Sequence, residues 1–491
     1  MPDQNLPCDR LPALDPPIDL PTGGHPGARP AVAVIVFHGM GQQVKFQTLN
    51  DVAYGIRDAA IRAGSILAQP RTVLLRQRKS DGACRYIPRA ELEVAESPGT
   101  AIHVYECYWA PLTEGKVTLR DVARFLMKTG IDGFRLGTRR FCRILFGDWK
   151  PYSIPGATQV HFTIALAFVL SLIVLNLVLG LVTSVGVLRG DDSGWPSRTL
   201  ISWLTLDFLT FETAALAFAV SALVAYRQWD RFRKSQNRSG GKHWKLPGRW
   251  LYLTLAWAFV LATIGCGAAA LFLLVWFRAS DPGAAPLGLL FYAVIALATV
   301  VSWIVRSFLV QFFGDVVVYL SAHAVSQFDE LRTAIQKAAF DIASAVYDQG
   351  VYHRVILMGH SLGSVIAYDT FNAVANTGAH ASALSRTDLI TFGSPLDKTA
   401  FVFRSQKVEH ADFREALATQ IQAGLARRDN RPASWINISS KDDWISGELN
   451  FYGRVDNEVD AEACIPVLAH VQYWRNNLVF DRTFEKISEF V

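Results

Sequence analysis

Four apolar stretches between about residues 160 and 305 constrain this chain more than any other feature. Each is longer than the roughly 20 residues a helix needs to cross a hydrocarbon core about 30 Å thick. Residues 162–188 and 250–277 carry no charge, and the latter holds small residues (Gly265, Gly267, Ala269) suited to close helix packing. The fourth runs over about 284–305. The second, about 200–226, contains Asp207 and Glu212. Acids inside a bilayer are costly unless partnered or near its surface, so Asp207 is expected at the interface and Glu212 hydrogen-bonded between helices. The loop before the third stretch carries Arg227, Arg231, Arg233, Lys234, Arg238, Lys242, Lys245 and Arg249 against one Asp230. By the positive-inside rule that loop is cytoplasmic, and four spans place the segments before and after the bundle on the same side. The sequon Asn237-Arg238-Ser239 then escapes glycosylation.

The flanking segments read as one α/β domain. Residues 1–30 are Pro-rich, lack the apolar core of a secretory signal, and are expected to form a flexible leader. From Ala31 comes a β-branched apolar run, Ala-Val-Ala-Val-Ile-Val-Phe, ending at His38-Gly39-Met40-Gly41. Such a run fits a strand buried on both faces, as in a parallel sheet. A helix over 47–63 and strands over 72–76 and 102–108 follow. A basic helix over 119–146 is expected to lie on anionic headgroups. Beyond the membrane region the pattern predicts a helix over 328–347, a strand over 355–358, a helix over 364–374, and strands over 389–392 and 435–438. The organisation is thus a leader (1–30), a first half-domain (31–155), a transmembrane insertion (156–312) and a second half-domain (313–491).

Other classes find little support. A net charge of +5 over 491 residues, with no basic stripe and no zinc-finger spacing, argues against nucleic-acid binding. Six scattered cysteines form no pair motif and are expected as reduced thiols. No metal or cofactor motif is present, and oligomeric state leaves no mark.

The chemistry concentrates in Gly359-His360-Ser361-Leu362-Gly363. With glycine near 7% of residues, G-x-S-x-G arises by chance in roughly one chain in seven of this length, so context decides. Here it follows an apolar strand and opens a helix, the setting of a nucleophile elbow. A serine hydroxyl needs a histidine to take its proton and an acid to orient that histidine. His470, in Leu468-Ala469-His470-Val471-Gln472-Tyr473-Trp474, is late enough to leave room for an acid after the 435–438 strand; His410 is the alternative. The candidates for that acid are Asp443, which is favoured, then Asp442, and then Asp397, after Gly393-Ser394-Pro395. Asp315, between bundle and core, reads as a packing or capping residue.

These motifs resemble the lipase and esterase branch of the α/β-hydrolase superfamily. The resemblance covers the two soluble segments and not the bundle. It implies an α/β-hydrolase-type, mostly parallel sheet split by the four-helix insertion. It also implies an oxyanion hole formed by the backbone N–H groups of Met40 and Leu362, and chain order Ser, Asp, His. The expected function is hydrolysis of a lipid or lipophilic carboxylic ester through an acyl-serine, without a cofactor. A thioesterase or deacylase, and a non-catalytic membrane scaffold, are the alternatives. Lids in this superfamily are more often inserted after the elbow; here the insertion precedes it.

Overall fold

The computed structural model describes residues 18–19, 31–40, 44–78, 84–94, 101–114, 116–117, 121–122, 125, 140–145, 148–153, 319, 326–377, 381–405, 430–443, 445–465 and 468–490. The chain divides into two compact units. One comprises residues 1–125, 138–154 and 309–491, the other residues 126–137 and 155–308. The second unit, with all four apolar stretches, Asp207 and Glu212, lies outside the described residues, as do Asp315 and His410. Among the described residues no helix is long and apolar enough to cross a membrane.

The first unit is built on a mostly parallel sheet. Its described strands are β1 (Ile18–Asp19), β2 (Ala31–Phe37), β3 (Arg71–Arg78), β4 (Cys84–Glu93) and β5 (Ala101–Cys107), followed late in the chain by β8 (Tyr352–His360), β9 (Thr387–Phe392), β10 (Ser434–Ser439) and β11 (Asp456–Val459). They lie in the order β1-β3-β4-β5-β2-β8-β9-β10-β11, and β4 alone runs against its neighbours. Strands β6 (Arg140–Leu145) and β7 (Asp148–Ser153) form a separate antiparallel hairpin. Over 140–145 that hairpin corrects the basic helix expected over 119–146; residues 121, 122 and 125 of the span are helical, and its other residues lie outside the described ones. Phe141 stands opposite Tyr152 and Ile144 opposite Trp149, residue types that favour strands. Ile18 and Asp19 pair with Leu75 and Arg76, so the leader contributes an edge strand.

Burial explains the order. Val32 through Phe37 are wholly inaccessible, and β2 has parallel partners on both sides, Val34 facing Val104 of β5 and Ile356 of β8. Alternate side chains then serve two layers. Val32, Val34, Val36, Ile356, Met358, Ile390 and Ile438 join the cluster closed by helices α1 (Gln47–Arg62) and α6 (Asn477–Ser488). Gly55 lets α1 approach α6, since a Cβ there would overlap the Phe480 ring. On the other face lie α2 (Ser326–Asp348) and α3 (Leu362–Asn376), where Tyr347 and Thr387 share a buried 2.7 Å hydrogen bond. Between β9 and β10 runs α4 (Leu396–Ser405), and α5 (Ala469–Gln472) precedes α6.

From β2 the chain builds the sheet toward β3, β4 and β5; after the insertion it resumes at β8 on the other side of β2. The carboxyl ends of β2 and β8 therefore meet where the strand order reverses, the usual crevice for a site in an open α/β sheet.

Candidate active site

That crevice holds the elbow. Ser361 follows β8 at φ 54°, ψ −127°, left-handed backbone that costs a residue with a Cβ about 1–3 kcal/mol. The turn is locked from several sides. The Ser361 N–H donates to the Phe392 carbonyl (3.1 Å), and the Ser361 carbonyl accepts from the Ser364 N–H (3.0 Å) and the Ser364 hydroxyl. Both motif glycines are demanded by space. A Cβ on Gly359 would stand 2.5 Å from the Ser364 Cα, and one on Gly363 would overlap the carbonyl oxygens of Phe37 and His38. The helix N-terminus can thus press against the end of β2.

Ser361 Oγ lies 2.8 Å from His470 Nε2, and His470 Nδ1 lies 2.9 Å from Asp443 Oδ2. The structure therefore brings Ser361, His470 and Asp443 into one relay, although they come from the turn after β8, α5 and the loop after β10. Asp443 is buried, and burial alone would raise its pKa. The His470 charge and hydrogen bonds from His470, the Ile445 N–H and the Ser446 hydroxyl outweigh that and hold the carboxyl well below the usual range. Tyr473 adds a further donor, its hydroxyl 3.0 Å from Asp443 Oδ2. Burial, reinforced by the Asp443 charge, pushes the phenol far above its ordinary pKa, so it stays a donor.

The two other acids stand elsewhere. Asp442 is half-buried beside Asp443, its N–H taken by Ser440 Oγ (3.1 Å). Asp397, in the first turn of α4, accepts from the N–H groups of Asn450 (2.9 Å) and Phe451 (3.1 Å). Its neighbour Lys398 donates to the carbonyls of Ile445 (2.8 Å) and Ser446 (3.0 Å). Adjacent residues of opposite charge thus grip the acid loop by its amides and its carbonyls. Burial lowers the Lys398 pKa to about 8 against the pull of Asp443 and Asp397, which leaves it cationic at neutral pH.

The loop after β2 is braced as firmly. His38 stacks on Trp109 (centroids 4.7 Å apart), donates through Nδ1 to the Gly39 carbonyl (2.9 Å) and accepts the Trp109 N–H at Nε2 (3.2 Å). The Trp109 indole N–H donates to the His38 carbonyl (3.2 Å). Burial lowers the His38 pKa to about 4, against that Gly39 bond, so the ring is neutral, as this bonding requires. A Cβ on Gly39 would lie 3.0 Å from Ser361 Cβ, which puts the Gly39–Met40 backbone against the elbow. Met40 is half-buried there. Leu362 opens α3, whose N-cap residue Ser361 makes no side-chain cap bond, its Oγ being turned to His470. Chemically, this arrangement can draw a proton from Ser361 to His470 beside a helix N-terminus that favours negative charge.

Sequence reasoning missed His360, Lys398, Tyr473 and Trp474. The last two fall three and four residues after His470, on one helical face, which was the available signal. Lys398 had none. Compared with protein-family models, with curated proteins and with solved structures, the chain matches none.

Proposed function

We propose that this chain is a membrane-embedded serine hydrolase of the α/β-hydrolase type, cleaving carboxylic esters of lipids through an acyl-serine. The observation that carries the reading is the relay from Ser361 Oγ through His470 to Asp443 at a strained strand-to-helix turn. In the reaction His470 Nε2 takes the hydroxyl proton as Oγ bonds to the substrate carbonyl carbon. Asp443 stabilises the imidazolium and stays ionised. The oxyanion forms beside the N–H groups of Leu362 and Met40; one such donor contributes about 3–4 kcal/mol in comparable sites. His470 returns the proton to the departing alkoxide, leaving Ser361 acylated. A water then adds with the same histidine as base, releasing the acid and restoring the serine. No cofactor enters this sequence.

A lipophilic substrate suits large apolar side chains exposed beside His470, Leu468 (53%) and Val471 (49%). It also suits the four apolar stretches, each long enough to span a bilayer. With the basic loop cytoplasmic, the hydrolase unit would work on the cytoplasmic face.

The test is reaction of the purified protein with a fluorophosphonate. Wild type should be labelled at Ser361 and hydrolyse esters, while Ser361→Ala should be neither labelled nor active yet fold normally. Labelling that survives in Ser361→Ala would refute the assignment. For the membrane arrangement, cysteines placed at Lys242 and Asp191 should react from opposite sides of a sealed vesicle; reaction from one side excludes four spans.

A further inference from the structure

A nucleophile elbow sets no demand on the residue between its first glycine and its serine. In this chain that residue is His360, buried with 5% exposure and placed against the histidine loop. Its Nε2 lies 2.8 Å from the carbonyl oxygen of His470, and the Trp474 indole N–H lies 3.3 Å from its Nδ1. These partners select one neutral tautomer, in which Nε2–H donates and Nδ1 accepts. An imidazolium would point a second donor at the indole donor. Burial, with the His470 ring adding to it, keeps the His360 pKa near 3. Phe392 and Trp474 pack on the ring with centroids 5.0 and 5.3 Å away. Glycines make its space on both sides: a Cβ on Gly39 would lie 2.8 Å from Nδ1, and one on Gly393, itself at φ 59°, 3.1 Å from Nε2.

We propose that His360 is a positioning residue for hydrolysis, fixing through its bond to the His470 carbonyl the backbone from which the His470 imidazole reaches Ser361. The inference rests on the serine-hydrolase reading above. The physical need is local. His470 sits in the four-residue helix α5, flanked by exposed Leu468 and Val471, so only Ala469 of its four residues is buried, and this bond ties the backbone of the segment to the elbow. His360 and Ser361 are adjacent in the chain, so the bond puts nucleophile and base in one rigid frame. Displacing a catalytic group by an ångström costs on the order of a hundredfold in rate.

His360→Phe, which keeps a ring but removes both nitrogens, and His360→Gln, which keeps an N–H donor, test this alongside wild type. The Phe variant should lose roughly ten- to hundredfold in kcat with KM within about twofold, and label with fluorophosphonate correspondingly slowly. The Gln variant should stay within about tenfold of wild type. Trp474→Phe, which frees the tautomer but leaves the donor, should fall between wild type and His360→Phe. Melting curves report folding; if the Phe variant does not fold, a folded Gln variant slower than about a hundredth of wild type overturns the proposal. An indifferent His360→Phe, or a Gln variant no better than it, overturns this inference alone. A wild type that takes no label at Ser361 overturns the hydrolase reading and this inference with it.

Discussion

Asp443 keeps its charge where burial opposes it, and the balance is visible in its donors: His470, Tyr473 and the Ile445 N–H. Replacing it with Asn leaves the shape but removes the charge and lets His470 adopt the wrong tautomer, so kcat should fall by about four orders of magnitude. The same carboxyl is linked to stability. Its folded pKa lies below the unfolded value, so its contribution is complete above the unfolded pKa and is lost as pH falls, between about pH 5 and pH 1. The melting temperature of Asp443→Asn should converge on that of wild type through this range; parallel curves would show that Asp443 carries no excess charge stabilisation. Glu106 has the opposite sign. It is buried at the end of β5, its carboxyl accepting the Phe46 N–H (3.0 Å). Burial raises its pKa from 4.5 to about 7, against the Phe46 and Thr48 hydrogen bonds and the Lys45 charge, with Asp51 adding to the rise. The folded chain thus binds more protons than the unfolded one between those values, and stability falls as pH rises through them. Glu106→Gln should gain on wild type in melting temperature from about pH 4.5 to about pH 7; a difference that does not change with pH sinks this account.

Helices and strands divide by how much of themselves they advertise. The continuous apolar runs of β2, β8, β9 and β10 are legible because both faces are buried, and the helical periods of α1 and α2 because one face is. Helix α3 is buried nearly all round and is marked by the motif that opens it. Ser361 is legible because its motif stands between an apolar strand and a helix, and Asp443 and His470 because the resemblance those motifs carry implies an acid and then a histidine later in the chain. What escapes notice is polar or shared. Strand β4 carries Arg85, Arg89, Glu91 and Glu93 and the strand-breaking Pro88, yet is held by β3 and β5. The edge strand β11, Asp-Asn-Glu-Val, has no buried residue. The grip of Asp397 and Lys398 on the acid loop depends on residues some fifty positions apart, which only the finished fold brings together. The elbow is the element whose tolerance is easiest to test. Gly363→Ala would thrust a Cβ into the backbone oxygens of Phe37 and His38, which cannot yield as a flexible side chain would. It should destabilise by more than about 4 kcal/mol. Gly447→Ala, where nothing lies within 4 Å, should change stability by less than about 0.5 kcal/mol. Equal losses in a denaturant titration would mean that close packing does not explain the motif's second glycine.

At the scale of the whole molecule, the sheet is assembled across the inserted region. Ala33 pairs with Val355, Ile35 with Leu357 and Phe37 with Gly359, so the strand that carries Ser361 takes its neighbour on one side from the chain before that region. The whole relay of Ser361, Asp443 and His470 nevertheless lies after it, which makes the parts separable in a test. A fragment of residues 313–491 would hold every relay residue but lack β2, β5 and α1. Strand β8 would then expose an open hydrogen-bonding edge, the apolar side chains that pack on Val32, Val34 and Val36 would meet water, and α6 would lose its seat on α1. Fully burying one Val, Leu or Ile side chain contributes about 1.5–3 kcal/mol, and a domain has only about 5–15 kcal/mol of net stability to lose. The fragment should therefore melt without a cooperative transition and take no fluorophosphonate label. Co-expression with residues 1–155, which supply β2 and the His38–Met40 loop, should restore both the transition and the labelling of Ser361. A lone 313–491 fragment that melts cooperatively and labels at the wild-type rate would show that β2 and its loop are dispensable to the site.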